Sequence, residues 1–198
     1  MSGPVLSALE IADPPQRWEA LGFAAGDGAV RVDGIRIHLG GPGENITAWA
    51  VAGITPAEDI DGLRTLVPSV PATGPRAEHP NGVTAVDHIV VVSPDFDRTA
   101  AALDGAGLPL RRVRDAGSFR QGFRRLGPAI LELVELHGEP PGPASFWGLT
   151  FIVEDLDALA ARLGDRLKPI KAAVQPGRRI ATLDRAAGLS TNVAFMDP

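Results

Sequence analysis

The chain has 198 residues, of which 44% are hydrophobic and 22% charged, with a formal net charge of −5. That length buries a core as one domain or two small ones, and the negative balance argues against a nucleic-acid partner. Cysteine is absent, which excludes disulfides, thiolate ligands and a cysteine nucleophile, and no apolar run reaches the ~18 residues of a membrane span.

Met1–Pro4 carries no basic stretch followed by an apolar one, so no secretory signal is expected and the cytoplasm is the default location. Val5 to Ala12 reads as a strand. Pro14 to Leu21 reads as a helix, with prolines where a first turn tolerates them. Ala29 to Val32, Ile35 to Leu39 and Ile46 to Val51 then give three short strands. Together they predict a short βαβββ unit over residues 1–67.

Residues 68–82 are rich in proline and poor in apolar side chains, which predicts a linker. Beyond it, Val86 to Val92 is a β-branched run that reads as a strand. Asp95 to Ala106 has helical spacing, acidic residues in its first turn and glycines at its end. Leu108 to Arg114, Phe119 to Leu126 and Pro128 to Glu135 follow as strands.

After the Gly138–Pro143 break the same order returns. Leu149 to Val153 predicts a strand and Asp155 to Leu163 a helix. Lys168 to Ala172, Arg178 to Asp184 and Thr191 to Met196 predict three more strands. Aligning the helix starts at Asp97 and Asp157 sets His88 against Gly148, and two further residues set Glu132 against Ala194. In the first unit Ser7 takes the His88 position and Ala48 falls near the Glu132 position.

Three βαβββ units carrying Trp18-Glu-Ala-Leu-Gly-Phe23, Val86-Asp-His-Ile-Val90 and Ile130-Leu-Glu-Leu-Val134 resemble the vicinal oxygen chelate superfamily. That group includes glyoxalase I, extradiol dioxygenases, methylmalonyl-CoA epimerase and the bleomycin-resistance proteins. The resemblance implies an α+β fold in which repeated βαβββ units form a curved half-barrel sheet. It implies a domain over 83–198 built from two paired units. It also implies metal ligands on the first and last strands of each unit. His88 and Glu132 match those positions, whereas Gly148 and Ala194 have no ligating side chain.

Strand alternation sends His88, Val90 and Val92 to one face and Glu132 to a face with Ile130 and Val134. Thr150, Ile152, Asn192 and Met196 would line the same cup as substrate contacts. An imidazole and a carboxylate suit a divalent Zn, Ni, Fe or Mn ion. Two ligands are too few for a catalytic zinc site, so a third would come from substrate, another chain, Glu135 or His137. Without a metal, burial would raise the pKa of Glu132 and fit it as a general base. A simple His–Glu hydrogen bond, or pairing of Glu132 with an arginine, is the plain alternative.

Among the arginines on the two strands before Glu132, Arg124 is expected to face inward and clamp an anion. Gln175–Arg179 reads as a turn entering a strand. Trp49, Trp147 and Phe146 read as core or interface residues, His38 as structural, and His79 and His137 as exposed. The expected function is a glyoxalase-like lyase or isomerase acting on a small oxygenated anion, with Glu132 as base. The competing expectation is a metal-free protein that sequesters a small molecule. The unpaired first unit is expected to pack on the others or to meet its counterpart in a homodimer.

Overall fold

Strands that alternate apolar and polar residues leave each sheet with one face to bury. A computed structural model of the chain describes residues 3–68, 77–115, 117 and 119–198. It buries those faces by setting two sheets back to back. The first sheet contains β1 (Val5–Ile11), β2 (Ala25–Gly26), β3 (Ala29–Val32), β4 (Ile35–Leu39), β5 (Ile46–Ala52), β6 (Asp59–Ile60) and β7 (Leu63–Leu66). A short helix, α1 (Pro15–Ala20), follows β1. The strand order is β2-β3-β4-β1-β5-β7-β6.

The second sheet contains β8 (Val83–Ser93), β9 (Arg112–Asp115), β10 (Arg120–Leu126), β11 (Ala129–Glu135), β12 (Ser145–Val153), β13 (Lys171–Ala172), β14 (Arg179–Thr182) and β15 (Asn192–Met196). Helices α2 (Phe96–Gly105) and α3 (Leu156–Leu163) follow β8 and β12. The order is β13-β14-β15-β12-β8-β11-β10-β9. Two βαβββ units therefore meet through their first strands, β8 and β12, which run antiparallel. This is the glyoxalase-like α+β architecture the sequence resemblance implies.

Each unit fixes its helix with the same chemistry. Asp95 and Asp155 accept hydrogen bonds from the backbone N–H groups of Arg98 and Ala158, at 3.0 and 2.9 Å, and so cap their helices. Arg120 then ties Asp97 of α2 to Glu135 of β11. Arg179 repeats the clamp between Asp157 of α3 and Asp197 after β15. Both arginines lie on the helix side of the sheet, where Arg120 also stacks 4.6 Å from the Phe96 ring centre.

The first sheet corrects the sequence reading. Its βαβββ unit closes at β4, which runs parallel to β1, and not at Ile46–Val51. β5 instead pairs antiparallel with β1, as β12 does with β8. It opens a second, truncated unit in which β7 runs parallel to β5 and no helix intervenes. The first unit thus has a partner of its own kind. The two-residue strand β2 forms around an Asp27-Gly28 turn and is too short to show periodicity. Because the true closing strand is β4, the register puts Ala8 where His88 lies and His38 where Glu132 lies, displacing Ser7 and Ala48 from those positions.

One apolar core joins the two sheets through their helix-bearing faces. Trp18 of α1 is fully buried and meets Phe23 and Phe151 at ring-centre distances of 4.9 and 6.1 Å. Trp49 of β5 meets Phe146 of β12 at 5.5 Å. Trp147 differs from its neighbours and stays 45% exposed. The Asp13 carboxylate crosses the junction to accept from Ser190 N and Thr191 N at 2.6 and 3.0 Å. His79 is buried, contrary to its expected exposure, because its ring nitrogens bridge Ala24 N and Arg31 O. Residues 69–76 of the expected linker lie outside the described residues. With their helix faces joined, the two sheets turn their open faces in opposite directions.

Candidate functional site

The open face of the second sheet is built in rows by strand register. One row runs Arg125, Ile130, His88, Thr150, Ala194 and Thr182. The next runs Phe123, Glu132, Val90, Gly148 and Asn192. Residues opposite one another across strands share a face. His88 and Glu132 therefore converge, with Nε2 and Oε2 3.5 Å apart.

A β-bulge completes the site. His88 faces Thr150 and Val86 faces Phe151, so Asp87 is the extra residue on β8. Such a bulge re-aims a side chain. It lets Asp87 and His88, although adjacent, interact on one side of the strand. Asp87 Oδ2 lies 2.7 Å from His88 Nδ1. Arg178, in the turn before β14, donates from Nη1 to Asp87 Oδ1 at 3.1 Å.

On the other side of the ring, Thr150 Oγ1 lies 3.0 Å from His88 Nε2. Gln121 reaches diagonally from β10 and donates to Glu132 Oε1 at 2.5 Å. The side chains of Asp87, His88 and Glu132 are only 13%, 15% and 14% exposed. Around them Val90, Val92, Ala194 and Met196 are buried, so apolar side chains flank this network.

The environment drives the two carboxyls apart. Burial pushes the Glu132 carboxyl above its ordinary range, and the His88 charge and the Gln121 hydrogen bond only partly offset it. Burial acts the same way on Asp87, but hydrogen bonds and charge from His88 and Arg178 outweigh it and hold that carboxyl low. Ionised Asp87 is acceptor-only, so the imidazole carries a proton on Nδ1 and turns Nε2 toward Thr150 and Glu132. With Oε1 of Glu132 accepting from Gln121, Oε2 is the atom placed to hold or release a proton.

The remaining expected contacts divide. Thr150 joins the network directly. Ile152 and Met196 face one another across β12 and β15 on the same side, with Met196 fully buried. Asn192 is exposed and donates to Trp147 O at 2.9 Å, which leaves it at the rim. Arg124 is the correction. It stands opposite Leu131 on the helix side of the sheet, and its neighbour Arg125 holds the cup-side position opposite Ile130. Asp87, Gln121 and Arg178 are site residues that sequence reasoning missed.

The donor set does not complete a metal site. At the positions matching His88 and Glu132 in the second unit stand Gly148 and Ala194, and a Cβ at Gly148 would lie 2.2 Å from Asn192 O. Glu135 is on the helix side, bound by Arg120, and His137 is exposed beside it at 3.7 Å. Among the described residues no group of three His, Cys, Asp or Glu side chains could hold an ion. His88 and Glu132 alone supply two donors.

No family model matches this chain, and none of the curated proteins matches it. Among solved structures, it is similar to methylmalonyl-CoA epimerase from Mycobacterium tuberculosis at 21% identity and a TM-score of 0.48, covering 59% of this chain and 89% of that one. It is similar to a Streptomyces coelicolor methylmalonyl-CoA epimerase variant in complex with 2-nitronate-propionyl-CoA at 20% identity and 0.47, covering 58% and 97%. A hypothetical protein from Bacillus halodurans gives 16% identity and 0.46, covering 57% and 93%. The strand order and register above, and not these likenesses, define the fold.

Proposed function

We propose that the cup of the second sheet binds a small oxygenated anion and moves a proton on it, as a glyoxalase-like isomerase or lyase does. The observation that supports this reading is the position of Glu132. Its carboxyl has a raised pKa, is largely buried on a face shared with Val90 and Ala194, and meets an imidazole oriented by Asp87. A carboxylate that resists ionisation is a stronger base once ionised, which suits proton abstraction next to a carbonyl. The C–H proton passes to Glu132 Oε2, the electron pair moves onto the carbonyl oxygen, and return of the proton to carbon closes an isomerisation. The Thr150 hydroxyl, and His88 Nε2 when the ring is protonated on both nitrogens, are the donors available to that oxygen. Arg125 stands on the same face, exposed, where it can pair with the anionic end of a ligand. No step is routed through a metal ion, because the residues present do not complete a ligand set.

A second reading is binding without turnover. The closed network favours it, since Asp87, Thr150 and Gln121 already occupy His88 and Glu132. One experiment separates the two. The protein is incubated in D2O with a panel of 2-oxo and 2-hydroxy acids and α-methyl β-keto acids, and deuterium uptake at the α-carbon is followed by NMR together with the His88 ring signals. Uptake that disappears in Glu132→Gln supports proton transfer. Saturable shifts of the His88 signals with no uptake support sequestration. Neither uptake nor ring shifts across the panel contradicts both.

A further inference from the structure

The open face of the first sheet has its own chemistry. Register puts Glu10 beside His38, Ala8 beside Arg36, and Arg31 beside Arg36 on that face. Arg64 reaches over from β7 to Glu10, Nη1 to Oε2 at 3.1 Å, across the small side chain of Ala48, which pairs with Glu10. Four basic side chains thus stand against two carboxylates, Glu10 and the Asp59 that faces Arg64 across β6 and β7. A cavity of about 370 Å³ opens beside them, with Glu10 and His38 as its charged lining and Ala8, Ala50, Leu66 and the Gly40–Gly41 turn as its walls; Arg36 and Arg64 flank it, next to Ala8 and Glu10. That volume is at the lower end of small-ligand pockets.

Two details show that the described residues do not consume this positive charge. Arg36 Nε is buried and has no hydrogen-bond partner among the described residues. A buried donor without a partner carries a desolvation cost that a ligand oxygen would relieve. The side chain of Arg64 is 59% exposed, and among the described residues its one ion pair is with Glu10 through Nη1. The face also lacks the chemistry of the other cup. Ala8 replaces His88 and Ala50 replaces Thr150, and the same bulge carries Ser7, whose hydroxyl donates to Ala50 O at 3.0 Å, in place of Asp87.

We infer that the first sheet's cup is a second, non-catalytic ligand site that takes a small molecule bearing a carboxylate or phosphate group, held by Arg36, Arg64 and His38. Arginine forks bind either oxyanion in a bidentate manner, and the apolar walls at Ala8, Ala50 and Leu66 take the body of the ligand. The site responds to occupancy through His38. Burial, Arg36 and Arg31 hold that imidazole below its usual pKa against the opposing pull of Glu10. A bound anion cancels the arginine charges and favours the imidazolium.

The test is an NMR titration of the His38 ring with succinate and, separately, with inorganic phosphate, at millimolar concentrations. Saturable shifts with a rise in the His38 pKa are expected with at least one probe, and the stronger probe identifies the oxyanion. Arg36→Ala weakens that probe about tenfold, the worth of one charge-assisted hydrogen bond. Arg36→Lys is measured beside it as a variant that keeps the charge and loses the fork, and it should bind at intermediate strength. Arg125→Ala, on the opposite cup, should leave the titration unchanged. No saturable His38 shift with either probe overturns the inference, as does saturation that is the same in wild type and both Arg36 variants.

Discussion

Asp87 and His88 are consecutive residues of one strand, yet Oδ2 of the first lies 2.7 Å from Nδ1 of the second. Regular alternation would send them to opposite faces. The bulge opposite Thr150 and Phe151 removes that conflict and turns two neighbours into a carboxylate–imidazole pair. Neutral His88 is therefore expected to carry its proton on Nδ1, visible in the nitrogen chemical shifts of the ring. Asp87→Asn removes the obligate acceptor and should shift the tautomer population toward Nε2–H.

Glu132 and pH give the next expectation. Its folded pKa is raised above the unfolded value of about 4.5. A raised carboxyl contributes stability that is complete below the unfolded pKa and lost as pH climbs through the folded pKa. Glu132→Gln cannot ionise, so it escapes that loss. The variant should gain in Tm relative to wild type on going from pH 4 to pH 8. Asp87 has the opposite sign. Its folded pKa lies below the model-peptide value of 3.8, and its contribution is lost only as pH falls through that lower value. Asp87→Asn should therefore cost more stability at pH 7 than at pH 2.5.

Gly148 bears on the metal question. Any side chain there meets Asn192 backbone oxygen, so Gly148→Ala should destabilise by about 1–3 kcal/mol, read by urea unfolding. The same crowding bars a ligand at the position paired by symmetry with His88. Adding Ni, Zn, Mn or Fe as divalent ions should leave the Tm of the wild-type protein unchanged. A stoichiometric metal with a Tm rise of several degrees would contradict the two-donor description.

Trp18 links the two sheets. It has no exposed surface and packs on Phe23 and Phe151. Trp18→Ala should cost about 3–5 kcal/mol. Because one core serves both sheets, tryptophan fluorescence and far-UV circular dichroism should report a single transition, in wild type and variant alike. Two separated transitions would show that the sheets fold independently.

The second sheet was legible because its signals agree. Asp95 and Asp155 cap helices, β8 and β11 are rich in branched residues, and the Asp97–Asp157 alignment sets His88 against Gly148 and Glu132 against Ala194, the equivalence of the two units that the register shows. The truncated unit was not legible, because β6 and β7 have two and four residues and no helix marks them. Asp87 was hidden by the bulge, since alternation assigns it to the wrong face. Arg124 was misplaced by a single residue, and one step reverses every side chain on a strand. Gln121 and Arg178 lie on β10 and in a turn, and only their three-dimensional neighbours Glu132 and Asp87 distinguish them.

The proposed proton transfer depends on a buried carboxyl that resists giving up its proton beside an oriented imidazole. The direct measurement is a carbon-13 NMR pH titration of the Glu132 side chain, assigned through Glu132→Gln and repeated in His88→Ala. A midpoint above the ordinary glutamate range is expected in the wild type. A further upward shift is expected in His88→Ala, because the charge that favours the carboxylate is gone. A midpoint at or below the ordinary range, unmoved by loss of His88, would contradict the proposed transfer.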